Sequence, residues 1–363
     1  MSFAQTFLSL FPVPTFLEMP AAGLDISDHS IKFVQFAQTK KGLRITKYGT
    51  YELPIGAVIE GRIANREAIV TVLSQMAAEH GVQYVRASLP EEPAYIFTAT
   101  VPAIGREEIK SLLQFKLEEN VPVAPADAVI DFDLIASEPK DGQRIVAVSV
   151  VPQKVAQVYT DLLEAAGLIP ISLEIEAQAI ARTLVPKTYT KTCMTVDIGR
   201  TRSCISVVGG GHVRFTTTVA IGGDMLNDVL EKELAALSPE EQLAIKNNYG
   251  LSYSANATVR NAFLNFGRQV RNEIERYYIY WQTHKDTKAS GLSIEKIILS
   301  GGYANIAGLP EYLTQELFVP VERANVWVNA FSLEKYIPSV SHRESLGYAS
   351  AIGLALPRNT FFT

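Results

Sequence analysis

Cysteine is almost absent from this sequence. Only Cys193 and Cys204 occur in 363 residues, with no CxxC spacing and no histidine beside them. That excludes a disulfide framework and a sequence-local zinc site, and it fits a reducing compartment. Histidine is equally sparse: His29, His80, His212, His284 and His342 make no metal pair at helical spacing. Positive charge is not in excess, with 33 Lys and Arg against 38 Asp and Glu and a net charge of -5. Nucleic acid, which is met by a basic face, is therefore not an expected partner. No apolar run reaches the roughly 18 to 20 residues that span a bilayer. The phosphate-loop pattern GxxxxGK[ST] and the nucleophile pattern GxSxG are both missing, and Gly209-Gly210-Gly211 runs into His212 and Val213 as a hairpin turn would. The first twenty residues carry Phe3, Phe7, Leu8, Leu10 and Phe11, but no basic start and no small-residue cleavage site, and Pro12 and Pro14 interrupt them. They read as a short amphipathic lead that packs on its own domain or docks on a membrane or partner, not as a signal peptide.

What is present is the balance of a folded protein, 47% hydrophobic and 20% charged residues. A chain of this length exceeds one ordinary core and is expected to form about two or three domains. Two segments share a design. Ala22 to Phe36, AGLDISDHSIKFVQF, reads as strand, polar turn and strand, with Ile31, Phe33 and Gln35 alternating; Met194 to Val208, MTVDIGRTRSCISVV, repeats it. Their acids, Asp25 and Asp197, stand 172 positions apart. That spacing predicts an α/β molecule of two related lobes facing a cleft, not a solenoid of short repeats. A polar stretch near Pro186 to Thr192 is the expected boundary.

The expected first lobe comprises residues 21–92, 168–190 and 342–357. Inserted in it, residues 93–167 read as an α+β subdomain: strand Tyr95 to Val101, helix Gly105 to Asn120, a hairpin of Val129 to Ile135 and Ile145 to Val151 about a turn at Pro139 to Gly142, and helix Val155 to Ala166. Residues 191–230 and 292–341 form the second lobe. Its helical insertion, residues 231–291, contains Ser238 to Tyr249 and the long pattern Asn261 to Trp281.

Backbone N–H groups at a turn between strands cradle phosphate oxygens, and small residues let a phosphate approach. The candidates are Ser27, Asp28 and Ser30 in the first turn and Gly199, Thr201 and Ser203 in the second, with Lys32 to neutralise charge. Asp25 and Asp197 suit magnesium held through water. Ser300-Gly301-Gly302 through Leu309 reads as a strand-to-helix turn that a flat ligand can approach closely. Taken singly, each turn is explained by an ordinary hairpin whose Asp satisfies its own backbone. Recurrence in one chain weighs against that explanation.

The ordered set of two phosphate turns and an adenosine stretch resembles the superfamily of actin, heat-shock chaperones and sugar kinases. Within it the chain is similar, from about Ala22 to Leu356, to the PilM family of type IV pilus assembly proteins, relatives of the division protein FtsA. GLDISDHSIKFVQF, the run from Val101-Pro102 through Glu107-Glu108-Ile109 to Val121-Pro122 and Asp131-Phe132-Asp133, VDIG, Ile221-Gly222-Gly223-Asp224 and LSGGYANIAGL carry that likeness. The resemblance implies a two-lobed actin-like (ribonuclease H-like) fold with the insert in the first lobe, and ATP with Mg2+ bound between the lobes. It implies Asp25, Ser27, Ser30 and Lys32 in the first phosphate turn; Asp197, Gly199, Thr201 and Ser203 in the second; and Gly301, Gly302 and Leu309 along base and ribose. Asn272 and Arg276 on the long helix are further candidates for the adenosine, and Glu176 for orienting water or magnesium.

The partner implied is the cytoplasmic N-terminal peptide of a PilN-like inner-membrane protein, with pilus assembly ATPases and self-association beyond it. The implied location is the cytoplasm, peripheral to the inner face of the membrane, with ATP turnover slow at most. Two departures stand out: Ser27 where the family usually has glycine, and Thr217 where a basic residue often precedes the IGG motif. The competing readings are an FtsA-like division protein, which is expected to end in an amphipathic membrane helix, and a small-molecule kinase of the same superfamily.

Overall fold

Strand-forming alternation and tight polar turns build both Asp-bearing segments into antiparallel hairpins. The computed structural model describes residues 20–135, 142–283 and 293–357. The lead segment, most of the turn at Pro139 to Gly142 and the last residues after 357 lie outside the described residues.

The chain divides into two compact units, residues 1–179, 329–338 and 350–363 in one and residues 180–328 and 339–349 in the other. In the first, β1 (Ala22–Ile26), β2 (Ser30–Thr39) and β3 (Gly42–Glu52) form an antiparallel meander. Helix α1 (Arg66–His80) then crosses to β4 (Tyr84–Leu89), which lies parallel to β1. Asn65 caps α1 by accepting from the N–H of Ala68, and Gly81 closes it in the left-handed region at φ 59°. Ile69, Leu73 and Met76, spaced one turn apart, are its buried face. Every residue of β1 is buried, as expected of a central strand covered on both faces.

The insert follows. Strand β5 (Tyr95–Pro102), helix α2 (Arg106–Asn120), β6 (Ala128–Leu134) and β7 (Gln143–Pro152) make a three-stranded antiparallel sheet in the order β5-β7-β6 with α2 on one face. Ile109, Leu113 and Leu117 of α2 pack with Val101, Phe132, Val146, Val148 and Val150 in a core of its own. Helix α3 (Gln153–Ala165), β8 (Ile169–Ile175) and α4 (Glu176–Leu184) complete the first pass, giving a main sheet in the order β8-β4-β1-β2-β3.

The second unit repeats that order. Strands β9 (Thr192–Ile198), β10 (Ser203–Gly209) and β11 (His212–Val219) are an antiparallel meander, with Gly210 and Gly211 at φ 62° and 82° making the expected hairpin turn. Helices α5 (Asp224–Glu233), α6 (Pro239–Asn248) and α7 (Ala257–Thr283) form the helical insertion. Strand β12 (Ile294–Ser300) then runs parallel to β9, and helix α8 (Leu309–Leu317) leads to β13 (Val321–Arg323). The sheet order is β11-β10-β9-β12-β13. Helix α7 starts four residues earlier than its apolar pattern indicates because Asn256 caps it, accepting from the N–H groups of Thr258 and Val259.

Last comes helix α9 (Ala349–Ala355), which lies directly on β1. A Cβ on Gly23 would stand 2.0 Å from the carbonyl oxygen of Ala351. The division between the units falls after Ala179, not near Pro186. Residues 329–338, expected in the second lobe, group with the first unit. Aromatic packing draws them there: Phe331 meets Phe36 edge-on, and the Arg44 guanidinium sits 4.1 Å over the Tyr336 ring.

Candidate functional site

Strand register in the first unit sets four polar side chains in one row. Asp25 pairs with Lys32 across β1 and β2, Leu24 pairs with Ala87 so that Asp25 falls beside Ser88, and Ser88 pairs with Glu174 across β4 and β8. Side chains in such a row share one face of the sheet. Asp25, Ser88 and Glu174 are each the penultimate residue of a parallel-running strand, and all three are buried. The Ser88 hydroxyl donates to Asp25 Oδ1 at 2.8 Å, and the N–H of Ile26 donates to Ser88 Oγ at 3.4 Å. The contact that fixes Asp25 thus comes from a strand 63 residues away, not from its own turn.

The turn itself is closed by serine. Ser27 donates through both N–H and hydroxyl to the carbonyl of Ser30, and the N–H of Ser30 donates back to Ser27 Oγ at 3.2 Å. Lys32 Nζ donates to Ser30 Oγ at 3.2 Å, which brings its ammonium over the turn. Ser27, the departure from the family pattern, therefore acts as the clasp of a serine-closed turn.

The second unit carries the counterpart. Asp197 pairs with Ser300, and Ser300 Oγ donates to Asp197 Oδ1 at 2.6 Å from a fully buried position. The turn after Asp197 is braced from two sides. Gly223 N–H donates to Gly199 O at 3.1 Å, Asp224 N–H donates to Arg200 O at 2.9 Å, and Arg200 Nε donates to Asp224 Oδ1 at 2.8 Å. Ser203 Oγ donates to the carbonyl of Ile221 at 2.6 Å. Close approach explains the glycines: a Cβ on Gly222 would lie 2.3 Å from Arg200 O, and one on Gly301, at φ 85°, would lie 2.4 Å from Ile198 O. Thr201 is exposed at the tip of the turn, and open space surrounds the Cβ position of Gly302.

Beside Gly302 stands a cluster that sequence reasoning missed. Lys246 Nζ lies 4.4 Å over the ring of Tyr303, whose hydroxyl accepts from Asn227 Nδ2. Burial holds the Lys246 ammonium below its ordinary range, with Arg200 adding to the effect and Asp224 opposing it. Tyr303 is pushed up, first by burial. The available signal was the capping box Ser238 to Glu241, which fixes the start of α6 and so the face that carries Lys246.

Other expected residues fall elsewhere. Leu309 is fully buried at the start of α8, so it shapes the turn without presenting a side-chain surface. Asn272 and Arg276 are exposed on α7; Asn272 accepts from Arg271, and Arg276 pairs with Glu273 at 2.7 Å with its guanidinium over Tyr277. Glu176 opens α4, two residues beyond Glu174, the carboxylate that shares the row with Asp25. Thr217 contributes its hydroxyl to Tyr277 at 3.5 Å, where Phe215 also seats α7 against β11.

Each unit thus offers a strand-end carboxylate that accepts from a buried serine, itself buried in the first unit and partly exposed in the second, next to a hydroxyl-rich or glycine-rich turn. These are hard oxygen donors of the kind that suit a hydrated magnesium ion and phosphate oxygens. Among the described residues no group of three or more His, Cys, Asp or Glu side chains could hold a metal ion by itself. Among them, too, no helix is long and apolar enough to cross a membrane.

Comparison with known proteins gives a consistent result. The sequence matches the family described as type IV pilus assembly protein PilM across residues 23–359. The fold is similar to that in a PilM-PilN type IV pilus biogenesis complex, with a TM-score of 0.73 and 21% identity, covering 93% of this chain and 98% of that one. The ethanolamine utilization protein EutJ from Carboxydothermus hydrogenoformans follows at a TM-score of 0.53 and 15% identity, covering 95% and 90%. MreB5 of Spiroplasma citri bound to ADP gives 0.50 and 12%, covering 87% and 94%. These likenesses show the actin-like fold.

Proposed function

Because the chain belongs to the PilM family of type IV pilus assembly proteins, we propose that it is an ATP-binding platform that recruits the cytoplasmic N-terminal peptide of a PilN-like membrane protein. The observation that carries the nucleotide part is the duplicated Asp–Ser pair, Asp25 with Ser88 and Asp197 with Ser300, each beside a short turn between strands. Lys32, Ser27 and Ser30 serve phosphate in the first turn, and Gly199, Thr201 and Ser203 in the second. Gly301, Gly302 and the Lys246–Tyr303 pair take the nucleoside. Asp25 in the first unit and Asp197 in the second are each a carboxylate suited to Mg2+ held through water, and the ion would supply charge neutralisation at the phosphates when bound. Glu174, in the row of Asp25, is the carboxylate we assign to ordering water there, in place of Glu176. Turnover is slow at most, since the output is a nucleotide-dependent affinity for the partner. The peptide part is supported by family membership and by the shared fold over nearly the whole of the PilM-PilN relative. The site of action that follows is the inner face of the membrane that holds the partner.

Calorimetry with Mg-ATP, repeated with a peptide copying the cytoplasmic start of the cognate PilN-like protein, tests both parts. Saturable binding of nucleotide and peptide with negligible phosphate release is the expected outcome. Absence of both sinks the proposal, and rapid phosphate release replaces the platform with an enzyme.

A further inference from the structure

We infer that Tyr159 is a positioning residue which, through the hairpin tip Glu60-Gly61, links the first phosphate turn to the insert, so that phosphate at the turn and the packing of the insert respond to each other. This rests on the ATP-binding reading above and names a regulation of its first turn. Residues Val58–Ile59 and Arg62–Ile63 pair as a two-residue hairpin, with Glu60 at φ 50° and Gly61 at φ 72°. Asn or Asp is the ordinary residue before the glycine of such a turn. Glutamate is strained in the left-handed region, and strain of this kind persists where the surroundings over-determine it. Gly61 is buried although it stands at a hairpin tip, and tips ordinarily lie in solvent.

Both polar groups of Gly61 are met by distant side chains. Its N–H donates to Asp28 Oδ1 at 3.3 Å, in the turn that Ser27 and Ser30 close. Its carbonyl accepts from the Tyr159 hydroxyl at 2.9 Å, and Tyr159 is fully enclosed on α3. A Cβ on Gly61 would stand 2.3 Å from the Cβ of Pro90, so the peptide is also wedged against the residue that follows β4. Helix α3 follows β7 of the insert with no residue between them and touches β6; it also packs on α1, β4 and β8 of the main lobe. A tip that served only to turn the chain would leave its N–H and carbonyl to water. This one bonds the phosphate turn on one side and the helix that joins the insert on the other. Phosphate on the N–H groups of the first turn orders that turn. Displacing Asp28 then breaks its bond to Gly61 or drives Gly61 against Pro90 and Tyr159. By linkage, whatever steadies α3 raises the affinity of the turn for phosphate by the same factor. Tyr159 touches no phosphate and acts through Gly61.

The test is amide hydrogen exchange by mass spectrometry on the full chain, without nucleotide and with saturating Mg-ATP whose binding calorimetry confirms, for the parent, Tyr159→Phe and Asp28→Ala. In the parent, ATP is expected to slow exchange at residues 22–36, 58–63 and 143–165, about fivefold in the last, the lower end of coupling between two sites. In Tyr159→Phe, ATP still slows residues 22–36 and no longer slows 143–165. Asp28→Ala, which cuts the link at its other end and spares the core around α3, gives the same loss at 143–165 and decides the matter if Tyr159→Phe fails to fold. A parent in which ATP protects the turn but not residues 143–165, or variants that keep the parent's response there, overturn the inference while leaving ATP binding intact. Parent protein that binds no ATP overturns the nucleotide reading, and this one with it.

Discussion

Single residues here are constrained by approach more than by chemistry. Gly301 combines φ 85° and ψ 162° with a Cβ position 2.4 Å from the Ile198 carbonyl. That backbone region is nearly exclusive to glycine. Gly301→Ala is expected to lower stability by at least about 2 kcal/mol, read from the urea midpoint. Thiols give a second residue-scale prediction. Cys193 is fully enclosed and burial pushes its thiol up to about 12, whereas Cys204 is partly exposed and pairs in register with Asp197. Only the thiolate alkylates. Iodoacetamide on the native protein at pH 8 should label Cys204 well before Cys193, as peptide mass spectrometry will show; equal labelling contradicts the packing of β9. The serines show why residues were unequally legible. Asp25 announced itself through the repeated strand-Asp-turn pattern, but Ser88 is one serine among many until strand pairing brings it across 63 positions.

At the scale of elements, helices and strands with local signals were legible and those defined by their neighbours were not. Helix α6 follows its Ser-Pro start and capping box within a residue of expectation, and the hairpin of β10 and β11 follows its glycines. Strand β4 lacks a local signal because it runs parallel to both of its neighbours inside the sheet, and β8, the edge strand beside it, has no hairpin turn to mark it. The join of β3 to α1 offers a pH test. The Tyr51 hydroxyl donates to Glu79 and also meets His80 Nε2 at 3.0 Å. Burial first, and then the Glu79 contact, raise its pKa from 10.0 to about 12. A raised acid binds its proton more tightly in the folded state, so its stabilisation is present below pH 10 and is lost as pH rises toward 12. Denaturant titrations across that window should show falling stability, and a smaller fall for Tyr51→Phe. Identical slopes in the two proteins sink the assignment.

At the largest scale the chain is two compact units, each built on a five-stranded sheet of the same strand order, so its unfolding is expected to depend on which unit is observed. Trp281 and Trp327, the two tryptophans of the chain, both belong to the second unit. Tryptophan fluorescence therefore reports that unit, while far-ultraviolet circular dichroism reports both. Urea curves from the two probes should separate; superimposed curves mean that the units unfold as one. What the sequence determined alone was whatever is written in neighbouring residues: the α/β class, the doubled strand-Asp-turn design, the insert with its amphipathic helix, and the glycines at the turns. Tertiary structure alone decided which distant side chains share a face. Register across parallel strands put Ser88 beside Asp25, Glu174 beside Ser88 and Ser300 beside Asp197, a helix start placed Lys246 over Tyr303, and aromatic packing moved residues 329–338 to the first unit. The physical reason is that a turn or a helix cap is stabilised by atoms a few bonds along the chain, whereas a row across a sheet is stabilised by strands whose order no local pattern records.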